Sequence, residues 1–147
     1  MDSRGRDGVT IAVRGLCPLL QVFDMPSSLH FYREILGFSE VEKSGRGDRV
    51  GWVWLRHGNA ELMLNTAYED DQRPSEPDPA RNAVHGDTIL FLGCQDLDGA
   101  YSYLLARGVK AEPPTVRPYG MTQVNAIDPD GYGLCFQWRT EPTGAAG

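Results

Sequence analysis

The spacing of apolar and polar positions predicts a strand, a helix and further strands in the first half of the chain. Residues 60–65 alternate along the chain as a strand does, and residues 16–23 form a first predicted strand with Cys17, Leu19 and Gln21 on one face. Between them, apolar residues recur at helical spacing in a segment that Asp24 can cap and that Gly37 can end. The pattern therefore favours one helix packed on one sheet.

The same order of elements returns in the second half. Asp96 stands 72 residues after Asp24 and opens another helical pattern, with the stripe Leu97, Tyr101, Leu104 and Leu105 and a stop at Gly108. The two glycine stops are 71 residues apart, so the repeat carries a one-residue deletion. The predicted strands are 16–23, 40–43, 49–56, 60–65, 88–94, 121–127 and 133–138.

Residues 66–86 separate the two halves. They are polar, acidic and rich in proline, without an apolar period, which predicts a connecting loop. We therefore divide one domain, residues 1–147, into module one at 16–65, a linker at 66–86 and module two at 87–138.

Several short motifs carry a family resemblance. Residues 22–24 (VFD), 28–32 (SLHFY) and 35–38 (ILGF) resemble the first-module signature of the vicinal oxygen chelate superfamily, which includes glyoxalase I, bleomycin-resistance proteins, extradiol dioxygenases and fosfomycin-resistance enzymes. Residues 58–64 (GNAELML) look like the end of that module, and 128–132 (DPDGY) are similar to a turn of the second. The resemblance implies an α+β fold in which two βαβββ modules form a cup-shaped mixed sheet with helices on the convex side.

In metal-using members, the first and last strand of each module supply the ligands, commonly His, Glu or Gln. The matching positions here hold Cys17, Met63, Ile89 and Cys135. None offers the oxygen or nitrogen donors that hard and borderline metals prefer. We therefore expect no metal and no cofactor. Cys17, Met63 and Cys135 would converge if the family geometry holds, which leaves a soft-metal site as an alternative.

Strand alternation then assigns the side chains that face the cup. They combine aromatic rings with polar tips, a composition that suits a flat or conjugated ligand. The predicted ligand-binding residues are Gln21, Trp52, Trp54, Arg56, Glu61, Met63, Asn65, Tyr119, Cys135 and Gln137.

Other roles are open for some of these residues. Trp52 and Trp54 could pack in a dimer interface, where aromatic residues are also enriched. Glu61 could simply pair with Arg56 across the hairpin. Tyr119 could only cap its loop.

Composition and charge limit the classes of partner that the protein is expected to bind. The net charge is -6, which disfavours nucleic acid, since phosphates are met by clustered Lys and Arg. No apolar run is long enough for a membrane span and no signal peptide is visible. The three cysteines form no CxxC motif, which favours reduced thiols and a cytoplasmic location.

The sequence thus predicts a metal-independent, bleomycin-resistance-like protein that binds a small molecule, aromatic or cationic, as a homodimer. No catalytic residue is assigned. One alternative is a divergent glyoxalase-type lyase or dioxygenase that uses a metal, and another is a soft-metal or thiol-reactive resistance protein. Whether the modules pair within one chain or swap between two chains is left open.

Overall fold

The computed structural model describes residues 10–141 and contains two four-stranded mixed sheets with their helices. The strands are β1 Leu19–Val22, β2 Ser39–Lys43, β3 Trp52–His57, β4 Ala60–Thr66, β5 Ile89–Gly93, β6 Thr115–Val116, β7 Met121–Ile127 and β8 Gly133–Arg139. The helices are α1 Met25–Leu29, continued by a π-helix His30–Ile35, then a 3₁₀ turn Asp70–Gln72, α2 Pro79–His85 and α3 Leu97–Ala106.

The two sheets have the same topology, which confirms the predicted pair of βαβββ modules. The first sheet has the order β1-β4-β3-β2 and the second the order β5-β8-β7-β6. In each, the first strand runs parallel to the last and the other neighbours are antiparallel. Strands β1 and β5 therefore each form one edge of their sheet.

Alternation in β3 and β4 buries one face of the first sheet. Val53, Leu55, Leu62 and Leu64 are all buried, and they belong to one core cluster that includes the helix residue Leu29. The predicted face assignment is confirmed here, because every second side chain points into the core. The opposite face remains accessible.

The first helix begins where the sequence predicts and ends at the predicted glycine. The Asp24 carboxylate accepts the Ser27 backbone N–H at 3.2 Å, and Gly37 follows the helix with φ of 86°. Between them the helix widens into a π-helix, in which the Leu36 N–H donates to the Phe31 carbonyl. A π-helix holds one more residue than an α-helix of the same path, which accounts for the 71-residue spacing of the glycine stops.

Helix α3, the helix of module two, is shorter than the helix of module one and is a regular α-helix. Asp96 caps α3 through the Gly99 N–H at 2.9 Å, and Gly108 follows with φ of 79°. Leu97 and Leu104 are buried as predicted, but Leu105 is 46% exposed. The prediction that Leu105 belongs to the apolar stripe is therefore wrong, because its neighbour already occupies the face turned to the sheet.

The predicted loop at 66–86 contains a helix. Asp78 caps α2 by accepting the Ala80 N–H at 3.0 Å, and Pro79 occupies its first turn. No residue of α2 is buried. The helix was missed because a helix without a buried face has no apolar period to detect. Strands β1 and β3 also start three residues later than predicted.

The modules contact each other through the turn before β8, where module two meets the start of α1. The Tyr32 hydroxyl donates to Asp128 at 2.6 Å. Asp130 accepts the Phe23 N–H at 2.8 Å and the Ser28 hydroxyl at 3.3 Å. Both carboxylates are almost fully buried. We call this contact the closed junction.

Tyr132 completes the closed junction. Its hydroxyl donates to the Gln21 carbonyl at 3.0 Å and accepts the Gln21 N–H at 3.1 Å. Its ring stacks on His85 with centroids 4.1 Å apart, and His85 Nδ1 lies 2.8 Å from the Asp130 carbonyl. Helix α2 is thereby held against both modules.

In residues 10–141, no helix has the length and apolar character needed to cross a membrane.

Candidate functional site

Most of the predicted ligand-binding residues lie together on the accessible face of the first sheet, which we call the tryptophan face. Every second position of β3 and β4 points there, together with one residue of β1. The residues of this face are Gln21, Trp52, Trp54, Arg56, Glu61, Met63 and Asn65. Six of the seven are half-buried and Arg56 is exposed.

Glu61 organises one end of the face. Its Oε1 atom accepts the Trp54 indole N–H at 2.9 Å and lies 3.5 Å from Arg56 Nη2. The Arg56 guanidinium sits 5.4 Å from the centroid of the Trp54 ring. The predicted pairing of Glu61 with Arg56 is therefore confirmed. One carboxylate fixes both the ring and the cation beside it.

The other end of the face is held by weaker contacts. The Trp52 indole N–H points at the Met63 sulfur, 3.3 Å away. Asn65 Nδ2 lies 3.4 Å from the Gln21 side-chain oxygen. Together these contacts hold both indole rings across β3 and β4, with polar groups at the edges.

The remaining predicted residues lie on the second module. Cys135 and Gln137 share a face of β8, where the Gln137 side-chain oxygen accepts from Gln123 Nε2 at 2.9 Å. Gln123 in turn accepts from Arg117 Nε at 3.1 Å. Cys135 is 1% exposed, so a ligand reaches it only if neighbouring side chains move. Its role as a ligand contact stays a prediction.

Tyr119 lies in the turn before β7 and is 68% exposed. The turn is closed by the Gly120 N–H, which donates to the Arg117 carbonyl at 3.0 Å. A side chain this exposed is free to close over a ligand, and the structure brings it no partner from the tryptophan face among the described residues. Its ligand-binding role also stays a prediction.

The residues at the family's metal positions do not fit a metal. Leu19, and not Cys17, is the β1 residue that pairs with Met63, and Phe91, not Ile89, is the β5 residue that pairs with Cys135. The side chains of Leu19, Ile89 and Phe91 have no donor atom. Within residues 10–141, no group of three or more His, Cys, Asp or Glu side chains is arranged to hold an ion. We therefore derive no chemical step that passes through a metal.

The thiols are poorly suited to nucleophilic chemistry. Burial raises the pKa of Cys17, and the nearby charge of Glu61 raises it further. Burial also raises the pKa of Cys94 and of Cys135. A raised pKa lowers the fraction of thiolate, which is the reactive form.

The sequence reasoning missed the network around the turn before β8. Asp128 and Asp130 were predicted only to form a turn, and His85 was assigned no role. Burial raises the pKa of Asp128, and it raises the pKa of Asp130 to about 6. The signal was present in the DPDGY motif, but its hydrogen-bond partners lie about 100 residues away in sequence.

The comparisons with known proteins agree with this fold. A family model described as the Glyoxalase/Bleomycin resistance protein/Dioxygenase superfamily matches residues 14–136. No curated protein matches the chain.

Solved structures with a similar fold include three proteins from Streptomyces, Nocardioides and Micromonospora. TnmS3, an antibiotic binding protein from Streptomyces sp. CB03234, is 22% identical with a TM-score of 0.65, over 89% of this chain and 100% of that one. A glyoxalase/bleomycin resistance protein/dioxygenase from Nocardioides is 20% identical with a TM-score of 0.65, over 92% and 90%. TioX from Micromonospora sp. ML1 is 16% identical with a TM-score of 0.67, over 86% and 99%.

The family model spans most of the chain, and the two sheets follow the topology that the resemblance implies. The protein belongs to the glyoxalase/bleomycin resistance protein/dioxygenase superfamily.

Proposed function

We propose that the protein binds a flat small molecule on the tryptophan face without a metal. The arrangement of Trp54, Glu61 and Arg56 carries this proposal. An indole held by a carboxylate presents its π-surface in a fixed orientation, so little side-chain entropy is lost when a ring stacks on it. The half-buried Trp52 extends the same surface.

The charge of the chain indicates which ligands are favoured. The net charge is -6, and the Glu61 carboxylate lies beside the Trp54 ring, so an aromatic ligand with a positive charge gains from both. TnmS3, an antibiotic binding protein, shares the fold. That likeness supports a small-molecule ligand and does not identify it.

Metal independence is part of the proposal. It rests on the donor set, because Met63, Ile89 and Cys135 offer one thioether and one buried thiol and no carboxylate or imidazole. Lewis-acid chemistry of the glyoxalase or dioxygenase kind requires oxygen or nitrogen ligands that these positions lack.

We also propose that the protein forms a homodimer. Leu19 and Ile89 are 46% and 49% exposed, and they lie on the edge strands β1 and β5. Apolar side chains on sheet edges are commonly covered by a second chain. A partner seated there would enclose the tryptophan face from the side.

The test uses proflavine, a flat aromatic cation, as the probe. We expect Trp54→Ala to weaken proflavine binding about tenfold in isothermal titration calorimetry, since one stacking and cation–π contact is lost. The matched control is Trp138→Ala, which removes a 40% exposed tryptophan on β8 that is not part of the face. Equal affinity in both variants would contradict the proposal. A Trp54→Ala protein that becomes monomeric in light scattering would favour the interface role instead.

A further inference from the structure

A groove of about 740 Å³ lies between the modules on the side opposite the closed junction. Module one contributes the end of its helix, at residues 35–38, and the hairpin turn at 57–60. Module two contributes β5 and α3, with Phe91, Leu104 and Phe136 in the lining. The volume is that of a site for a drug-sized molecule, and the walls are mainly apolar.

The internal repeat explains where this groove lies. In β1, in the first turns of the helix and in β4, each residue corresponds to the residue 72 positions later, as the paired N-caps show. In β3 the offset is 71 residues. Ser28 and Tyr32 of the closed junction therefore correspond to Ala100 and Leu104, which line the groove. The groove is the repeat-related copy of the closed junction.

The turn that fills the closed junction has a much smaller counterpart. Asp130 corresponds to Gly58, and Tyr132 corresponds to Ala60. Both Gly58 and Ala60 line the groove. A carboxylate and a phenol ring that fill one junction are thus replaced at the other by a hydrogen atom and a methyl group. The space taken by these side chains at the closed junction is left open at the groove.

The backbone that holds the Tyr132 hydroxyl also has a counterpart. At the closed junction the N–H and carbonyl of Gln21 bond to that hydroxyl, at the outer edge of β1. The equivalent residue in β5 is Gly93, which is exposed and lines the groove.

The hydrogen-bond phase of β5 fixes the direction of those groups. In a parallel pair, every second residue bonds to the neighbouring strand. The Cys94 N–H donates to the Gln137 carbonyl, and the Thr88 carbonyl accepts the Gly133 N–H. Thr88 and Cys94 therefore belong to the set of alternate residues that bond to β8, and Gly93 belongs to the other set. The N–H and carbonyl of Gly93 point away from β8, toward the open edge of the sheet. Within residues 10–141, neither group has a hydrogen-bond partner outside the strand ladder.

We propose that the groove binds a neutral hydroxylated aromatic molecule. Its ring takes the place that corresponds to the ring of Tyr132, and its hydroxyl bonds to the N–H and carbonyl of Gly93. The apolar walls favour a ring over a charged group. Asp128 and Asp130 have no acidic counterpart here, since His57 and Gly58 stand at their positions. A neutral ligand therefore faces no buried carboxylate.

This site goes beyond the proposed function. It lies between the modules, whereas the tryptophan face covers β3 and β4 of the first sheet alone. The two sites share none of their lining residues, so each can be tested while the other is intact.

The first test compares three ligands of nearly equal size. We expect 2-naphthol to bind about fivefold to tenfold more tightly than naphthalene, because only the hydroxyl can bond to Gly93. The comparison with 2-methoxynaphthalene isolates the donated proton, since the ether still accepts a bond. Equal affinity of all three in calorimetry would overturn the proposal, and so would the absence of binding by 2-naphthol.

The second test fills the groove from the protein side. Ala60→Tyr places in module one the side chain that Tyr132 supplies in module two, and we expect it to weaken 2-naphthol binding at least about tenfold. Ala83→Tyr, on the exposed helix α2, is the matched control and should bind as the wild type does. Unchanged affinity in Ala60→Tyr overturns the proposal. If Ala60→Tyr does not fold, the ligand series decides.

Two further readouts locate the bound naphthol. Cys94 lines the groove and Cys17 does not, so saturating 2-naphthol should slow alkylation of Cys94 by iodoacetamide and leave Cys17 unchanged. Proflavine on the tryptophan face should not displace 2-naphthol. Protection of Cys17 instead, or displacement by proflavine, would overturn the separate site. A failure of proflavine to bind, with 2-naphthol protecting Cys94, would reject the proposed function alone.

Discussion

The closed junction and the groove are two copies of one contact between modules, and they differ in almost every side chain that fills the contact. One copy holds two buried carboxylates, two phenol rings and a serine hydroxyl. The other copy holds glycine, alanine and leucine at the equivalent positions. The repeat preserves the path of the backbone and leaves the side chains free to diverge. A duplicated module can therefore keep one contact for stability and open the other for binding.

The closed junction has an energetic cost that the groove does not have. Asp128 and Asp130 are 5% and 3% exposed, and burial raises the pKa of both. The two carboxylates accept five hydrogen bonds, which offset the loss of water. The donors are Phe23, Ser28, Tyr32, Tyr132 and the backbone N–H of Asp130. The closed junction is therefore stable only while its buried carboxylates keep their hydrogen bonds. The groove has few polar groups that need such partners.

Removing the largest side chain of the closed junction should have the largest effect. We expect Tyr132→Ala to lower the free energy of unfolding by about 4 kcal/mol, since it deletes a buried ring and leaves two Gln21 backbone groups without their partner. Urea denaturation measures the change. In the groove, Phe91→Ala should cost less than about 1 kcal/mol, because Phe91 is 58% exposed. Similar losses in the two variants would remove the contrast between the junctions.

The pH dependence of stability should identify the buried carboxylate. Burial raises the pKa of Asp130 to about 6, so between about pH 4 and 6 the folded state keeps a proton that the unfolded state loses. The contribution of Asp130 is fully present below the unfolded pKa and is lost as the pH rises through about 6. We expect the wild type to lose about 2 kcal/mol over this interval relative to Asp130→Asn.

Parallel pH profiles in the two proteins would show that Asp130 does not titrate in this way. Asp128, Tyr32 and His85 surround Asp130 and are unchanged in the variant. The difference between the profiles therefore isolates one carboxyl. It is measured by urea denaturation at pH 4.5 and 7.5.

The smallest expected effect comes from a pair of exchanged residues. Ser28→Ala removes one hydrogen bond to Asp130 and should cost about 1 kcal/mol. Ala100→Ser makes the reverse change at the equivalent position in the groove. Because no carboxylate lines the groove there to accept a bond from the new hydroxyl, the free energy of unfolding should change by less than about 0.5 kcal/mol. Thermal unfolding of both variants makes the comparison. A larger loss for Ala100→Ser would mean that the two positions are not equivalent.

The features that the sequence predicted are the ones that local chemistry decides. The N-caps at Asp24 and Asp96, the stops at Gly37 and Gly108 and the inward face of β4 depend on residues a few positions apart. The grouping of Trp54 with Glu61 followed from alternation in one hairpin, whose register fixes which side chains are neighbours.

The features that the sequence did not predict depend on distant residues or on missing side chains. The hydrogen bond from Tyr32 to Asp128 joins residues 96 apart, and no local pattern marks that pair. Helix α2 has no buried face, so only its cap residue Asp78 and the following proline signal it. The groove exists because Gly58 and Ala60 have small side chains or none. This is apparent only when the groove is compared with the closed junction.

The π-helix at His30–Ile35 bears on how such a protein can change length during evolution. Module one has one residue more than module two between cap and stop, so β3 and β7 are 71 residues apart, as Leu55 and Ala126 show. One extra residue in the turn before β8 then restores the 72-residue spacing of Leu62 and Leu134. An insertion inside a helix can be stored as one wider turn, without moving the strands on either side. The helix thus acts as a spacer of adjustable residue number. Each module can gain or lose a residue there while the sheets that carry the ligand surfaces keep their alignment.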